Sequence, residues 1–193
     1  LKDNSGKAKV FNELGFFYRK QKDDDAALQS FEEAYRLAKL VGNEAVMATA
    51  INNQGVWAQD QARHGVALEL FSRARVLYVK LKDSIGVSYT LDYASVSLAS
   101  QKQFSQAMQF QADAYQIRLR HKDTNAAALS LFCLAEFSQL QNQNQQAIGY
   151  LDDCLAIAER INYKELSAQC FLMLSSIFHH IGKHQEAYQY HVK

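Results

Sequence analysis

Proline is absent from all 193 residues. Helix interiors reject proline, and strand-rich proteins commonly use it in their turns. Its absence points to an all-α chain. Cysteine is scarce: Cys133, Cys154 and Cys170 are an odd set with no C-x-x-C spacing. A disulfide framework or a zinc ribbon needs more sulfur at closer spacing, so neither is expected. Free thiols in a reducing compartment are, and they favour the cytoplasm. An excess of one charge is also missing. Lys and Arg total 21 against 20 Asp and Glu, a net charge of +1. That balance leaves no footprint for nucleic acid or an anionic membrane. No apolar run approaches the ~20 residues that span a bilayer. The longest candidate, AAALSLFCLAEF (residues 126–137), is short and carries helical periodicity. No membrane insertion by this segment is expected.

Chemical motifs are missing too. There is no G-x-x-x-x-G-K-[ST], G-x-G-x-x-G or G-x-S-x-G. Ser/His and Cys/His combinations exist, but no spacing brings them together. The expectation is no enzyme, no catalytic residue and no cofactor.

What the chain has instead is a repeat. Shifting the sequence by 40 aligns Gly15, Gly55, Ser95, Ala135 and Ser175, all small. A second column is Ala27, Ala67, Ala107, Ala147 and Ala187, all alanine. A third, Phe31, Phe71, Gln111, Leu151 and His191, is large until it decays. A fourth is Ala34, Ala74, Ala114 and Cys154. Four positions before the first column stand Phe11, Ile51, Leu91, Leu131 and Phe171. Register holds with no insertion.

The physical reading is a pair of antiparallel helices per repeat. Small residues let two backbones approach, and large residues one turn away fill the space around them. In the first repeat the apolar set runs Phe11, Leu14, Gly15, Tyr18, then Ala27, Phe31, Ala34 and Leu37 or Ala38, at helical spacing. Polar links such as KQKDDD (residues 20–25) and QNQNQQ (residues 141–146) separate the two helices. Two short loops leave helices of about 17 residues, roughly 26 Å long. Between repeats, Asp3, Asn43, Asp83 and Asp123 stand where helices start and are expected as N-caps. Tyr163 interrupts that column, and Asn162 is expected to substitute. Gly42 and Gly182 fit helix C-termini. The boundaries are 4–43, 44–83, 84–123, 124–163 and 164–193, the last one truncated. A start at Leu1 that aligns with Leu81, and a second helix that stops at Lys193, suggest a fragment of a longer array.

Leu14-Gly15-x-x-Tyr18, followed by Ala27, Phe31 and Ala34, resembles the tetratricopeptide repeat. The match is specific in the first two repeats and degenerate but in register in the others. Two features depart from the family: the repeat is 40 residues rather than 34, and the closing proline is missing from every copy. This 40-residue style is similar to the arrays of bacterial sensor and regulatory proteins, attached to histidine kinase, diguanylate cyclase or LuxR-type modules. Repeats of animal polarity adaptors are similar too.

The resemblance implies a right-handed α-α superhelix, or solenoid, of helix-turn-helix repeats. It also implies a concave groove lined by the first helices, in which a peptide or protein ligand lies. Carried over position by position, the groove comprises Lys9, Asn12, Glu13 and Phe16; Thr49, Asn52, Asn53 and Val56; Tyr89, Asp92, Tyr93 and Val96; Leu129, Phe132, Cys133 and Glu136; and Gln169, Leu172, Met173 and Ser176. The first two repeats are amide-rich, suited to a peptide backbone. The later ones are aromatic and aliphatic, suited to apolar anchors. Lys9 is the lone base, which argues against a clamp for a terminal carboxylate.

The function implied is a protein- or peptide-binding segment of a larger bacterial signalling protein. An assembly scaffold, with a homodimer as one form of it, and a small-molecule-sensing superhelix are the alternatives. The resemblance also leaves open an extracytoplasmic sensor portion of a membrane-anchored kinase.

Three other features are expected to be structural. FHHIGKHQEAYQYH (residues 178–191) holds four histidines, and His180 and His184 are four apart. Gly182 and Lys183 sit where a turn falls between them, so no metal site is expected. Asp23, Asp24 and Asp25 open a second helix, where acids favour the dipole. Trp57 is expected to pack.

Overall fold

The computed structural model describes residues 2–192, with side chains from residue 4. Among them are ten helices: α1 (Lys2–Lys20), α2 (Asp24–Leu40), α3 (Glu44–Asp60), α4 (His64–Lys80), α5 (Ser84–Ser100), α6 (Phe104–Arg120), α7 (Thr124–Leu140), α8 (Asn144–Arg160), α9 (Lys164–His180) and α10 (His184–His191). There is no strand among the described residues. From α2 to α9 every helix is 17 residues long. Leu1 and Lys193, on which the reading of truncated ends rests, lie outside the described residues.

The same turn joins every consecutive pair. Its middle residue has a left-handed backbone at Lys22, Gly42, Ala62, Lys82, Lys102, Lys122, Asn142, Asn162 and Gly182, with φ between 55° and 79°. Two backbone bonds close each one. In the first, Lys22 N–H reaches Arg19 O at 3.1 Å and Asp23 N–H reaches Tyr18 O at 3.0 Å. This is the Schellman arrangement, which satisfies two orphan carbonyls at a helix end. The turns recur every 20 residues, twice as often as the repeat. Gly42 and Gly182 were legible from glycine alone. Lys, Ala and Asn hid the other seven.

An alanine in the left-handed region crowds its own Cβ against the following carbonyl. Replacing exposed Ala62 with glycine is therefore expected to stabilise the chain by roughly 0.5–1 kcal/mol. Chemical denaturation would show it, with a midpoint above that of the native chain.

Four helix starts are capped by the short side chain of an aspartate or asparagine, whereas Gln143 at the start of α8 makes no such bond. Asp23, Asn43, Asp83 and Asp123 accept from the backbone N–H groups of Ala26, Val46, Gly86 and Ala126, at 2.9–3.2 Å. Two expected caps differ. Asp3 lies inside α1, because that helix begins before it. Asn162 is the left-handed residue that ends α8, which leaves Tyr163 at the cap position without a side-chain bond.

The chain forms two compact units, residues 1–103 and 104–193. In the first, α1 packs on α2, α3 on α4, and α2 and α4 each pack on the helix that follows. The small-residue column accounts for the close approach. A Cβ placed on Gly15 would stand 2.4 Å from the Phe31 ring, and one on Gly55 would stand 2.6 Å from the Phe71 ring. Both rings are fully buried. In the second unit, α7 packs on α8 and α9 on α10. Leu131, Leu151, Leu166, Leu174 and Ile177 build its core with Cys154 and Cys170. The alanine column is buried throughout. Gln111, at the decayed phenylalanine position, is fully buried as well, whereas His191 is exposed.

All three cysteines are free thiols. The Cys170 thiol donates to Cys154 Sγ at 3.5 Å, and the Cys154 thiol to Ala128 O at 3.2 Å. That contact with Cys154, together with apolar burial, pushes the Cys170 thiol up from its usual range. It stays protonated.

Candidate functional site

The first helices of successive repeats are neighbours within each unit. In the first unit α3 packs against both α1 and α5, and polar side chains tie the three together. Asn43 donates to Ser5 Oγ at 2.9 Å. Asn53 meets Asn12 at a long 3.5 Å. Arg19 pairs with Asp60, Nε to Oδ2 at 2.5 Å. Thr90 donates to Asn52 Oδ1 at 3.2 Å. Gln59 donates both to Tyr93 O at 2.8 Å and to Ser97 Oγ at 2.9 Å.

Apart from Gln59 and Tyr93, which are 34 apart, these partners are 38 or 41 residues apart, close to one repeat. That offset was the signal for Arg19, Asp60, Gln59, Thr90 and Ser97, which column-by-column reading passes over. The columns compare like with like at a separation of 40. Packed neighbours on adjacent parallel helices are slightly off that register.

The ladder separates the expected groove residues of this unit into two sets. Asn12 (6% exposed), Asn52 (7%) and Val56 (4%) lie in the packing between helices. The amides of Asn12 and Asn52 are committed to the ladder, and Val56 is a core residue. Asn53, Asp92 and Tyr93 are half-buried. The Tyr93 ring stacks on Phe71, centroids 6.0 Å apart and planes 15° apart. Lys9, Glu13, Phe16, Thr49, Tyr89 and Val96 remain open to solvent. Lys9, Thr49 and Tyr89 form one row, a residue from each helix at 40-residue intervals. Phe16 and Tyr89 are each 43% exposed. The Lys20 ammonium lies 4.7 Å from the centroid of the Phe16 ring.

In the second unit the neighbouring first helices are α7 and α9. Leu129, Gln169, Leu172 and Ser176 are exposed there. Phe132 and Met173 are half-buried against the core. Cys133 and Glu136 are also half-buried. Burial pushes the Glu136 carboxyl above the usual carboxylate range.

The raised value has a sign. A carboxyl that holds its proton more tightly when folded adds stability at acid pH, and that stability is lost as pH rises through the folded value. Glu136→Gln is therefore expected to raise the melting temperature at pH 7 and to leave it unchanged below about pH 4, where the unfolded carboxyl is protonated as well. Melting curves between pH 4 and 8 check this. A Gln variant no more stable than the native chain at pH 7 would contradict it.

The remaining sequence features have structural places. Trp57 donates from Nε1 to Asp24 O at 2.9 Å, tying α3 to the start of α2, and the Arg63 guanidinium lies 5.4 Å from its ring. Asp23 is a cap, and Asp24 and Asp25 fill the first turn of α2. His184 meets His179 rather than His180. No helix among the described residues is long and apolar enough to cross a membrane.

The class of protein is set by these elements: an all-α chain of helix-turn-helix repeats whose first helices stack on one another within each unit. Residues 6–75 match the family model described as tetratricopeptide repeat, so this stretch carries that repeat. No curated protein matches the sequence. Solved structures share the fold at low identity. BtubC (BKLC) from P. vanneervenii is 15% identical, with a TM-score of 0.86 over 97% of this chain and 78% of that one. The tetratricopeptide-like repeats of a kinesin light chain from Podosopora anserina are 15% identical, with a TM-score of 0.79 over 96% of this chain and 92% of that one. The Rap conjugation gene regulator of the plasmid pLS20, solved in complex with the Phr* peptide, is 18% identical, with a TM-score of 0.75 over 93% of this chain and 50% of that one. The chain thus spans half the length of the Rap regulator.

Proposed function

We propose that the chain is a protein- or peptide-binding module and that the first-helix face of residues 1–103 carries recognition. The observation behind this reading is the open row Lys9, Thr49 and Tyr89, flanked by Phe16 and Val96. It lies on three helices held together by the partly buried polar ladder between them. Exposed aromatic anchors on a pre-ordered backbone bind with little ordering loss. Amides bound into the ladder are unavailable to a ligand backbone. On this reading the side chains of Tyr89 and Phe16 supply the affinity, and Lys9 and Glu13 set polarity. The second unit presents a separate aliphatic face through Leu129 and Leu172. A Rap regulator of the same fold was solved with a peptide bound. That likeness supports a sensory or regulatory segment of a larger bacterial signalling protein. Three free thiols fit a cytoplasmic setting. The reading assigns no catalysis to the chain.

The test is selection of a displayed random peptide library against residues 1–193, followed by Tyr89→Ser. A Val76→Ser/Val79→Ser variant, altered on exposed positions of α4, serves as the control. The reading expects enriched peptides whose binding is lost with Tyr89→Ser and kept by the control. No enrichment, or equal loss in both variants, sinks it.

A further inference from the structure

We propose that His179 and His184 form a two-imidazole clip for a divalent transition cation such as Zn2+, closing the turn between α9 and α10. The two residues are five apart, on either side of the left-handed Gly182. The Schellman turn folds α10 back so that their Nδ1 atoms stand 3.3 Å apart. The rings are 4.9 Å apart between centroids and inclined by 57°, so they do not stack face to face.

The separation fits a specific chemistry. Two imidazole nitrogens each 2.0–2.1 Å from zinc, at the tetrahedral angle, are about 3.3 Å from one another. The pair already holds that bite. Without a cation, one Nδ1 donates its proton to the other. Binding needs both lone pairs, so that proton moves to Nε2 of its own ring. No proton leaves the protein. Nitrogen donors suit Zn2+, Ni2+ and Cu2+ and not Mg2+ or Ca2+.

Among the described residues no group of three or more His, Cys, Asp or Glu is placed to hold a metal. The protein supplies two donors, and water completes the shell. Both rings open onto a cavity of about 440 Å3 that Ser175, Ser176 and a third imidazole, His191, also line. This leaves room for bound water. His180, the partner suggested by helical spacing, lines a different cavity, with Gln139 and Asn142. The site is independent of the recognition face of residues 1–103.

The experiment is calorimetric titration of residues 1–193 with Zn2+ in a non-coordinating buffer. One cation per chain is expected, with the binding heat lost in His179→Ala and in His184→Ala and retained in His180→Ala. All three side chains are exposed, so the variants should fold, and circular dichroism verifies that. Hydrogen exchange gives a second readout: Zn2+ is expected to slow exchange over residues 184–191 in the native chain only. The proposal is overturned if the native chain takes up no Zn2+. It is equally overturned if either His179→Ala or His184→Ala binds as the native chain does, or if His180→Ala abolishes binding.

Discussion

Phe71→Ala is expected to destabilise the chain by about 3–5 kcal/mol, the range for emptying a buried aromatic site. The ring is 1% exposed, presses on Gly55 and stacks on Tyr93. The sharper test uses both partners. Gly55→Ala alone must push the ring aside, because its new Cβ would lie 2.6 Å from Phe71 Cε1 and 2.8 Å from Cδ1. Overpacking of this kind typically costs 1–3 kcal/mol, partly offset by the ~1 kcal/mol that alanine gains over glycine in a helix. In the Phe71→Ala background the clash is gone and the propensity gain remains. There the same glycine change is expected to be neutral or stabilising. Urea denaturation of the four proteins in the cycle decides it. A Gly55→Ala change of the same size and sign in both backgrounds would remove the close-approach explanation of the small-residue column.

Ser130→Ala is expected to cost about 2 kcal/mol, a large effect for the loss of one oxygen. Arg118 is 4% exposed, and its Nη1 donates to Ser130 Oγ at 2.6 Å and to Ala126 O at 3.2 Å. Removing the hydroxyl leaves a buried guanidinium short of an acceptor, and breaking a buried charged contact is costlier than replacing both partners by apolar groups. The double variant Arg118→Met/Ser130→Ala is therefore expected to be more stable than Ser130→Ala alone. A double variant that loses as much as the two single changes combined would mean that Arg118 acts mainly through its packed stem.

The fold was largely legible because its signal is redundant. Ala27, Ala67, Ala107 and Ala147 say the same thing four times, and a helix whose small and large residues repeat in register has one way to pack. The cap column was legible at Asn43, Asp83 and Asp123, and misleading at Asp3 and at its expected substitute Asn162. A capping side chain and a left-handed residue are adjacent in this turn, and asparagine suits both.

The candidate face was less legible. Sequence alignment places Asn12 and Asn52 on the same helices as Lys9 and Thr49, but it cannot say which amide is turned into the neighbour. That depends on the 38- and 41-residue offsets between packed helices, which three-dimensional stacking sets and column matching averages away. The histidines show the same limit. Counting four residues along one helix selects His180 with His184. The turn at Gly182 reverses the chain and selects His179.

The nine identical turns bear on how such a chain can change length. One residue added inside a helix would advance everything after it by about 100° around the axis. The alanine that faces its neighbour would leave the interface, and a charged or bulky side chain would replace it. Growth residue by residue inside a helix thus breaks the packing, whereas connecting turns generally tolerate insertion. A whole 40-residue hairpin, such as residues 44–83, can be lost or copied without that rotation, because the helices on either side resume at the angle they had before. The uniform spacing acts as a ratchet, and its tooth is two helices long.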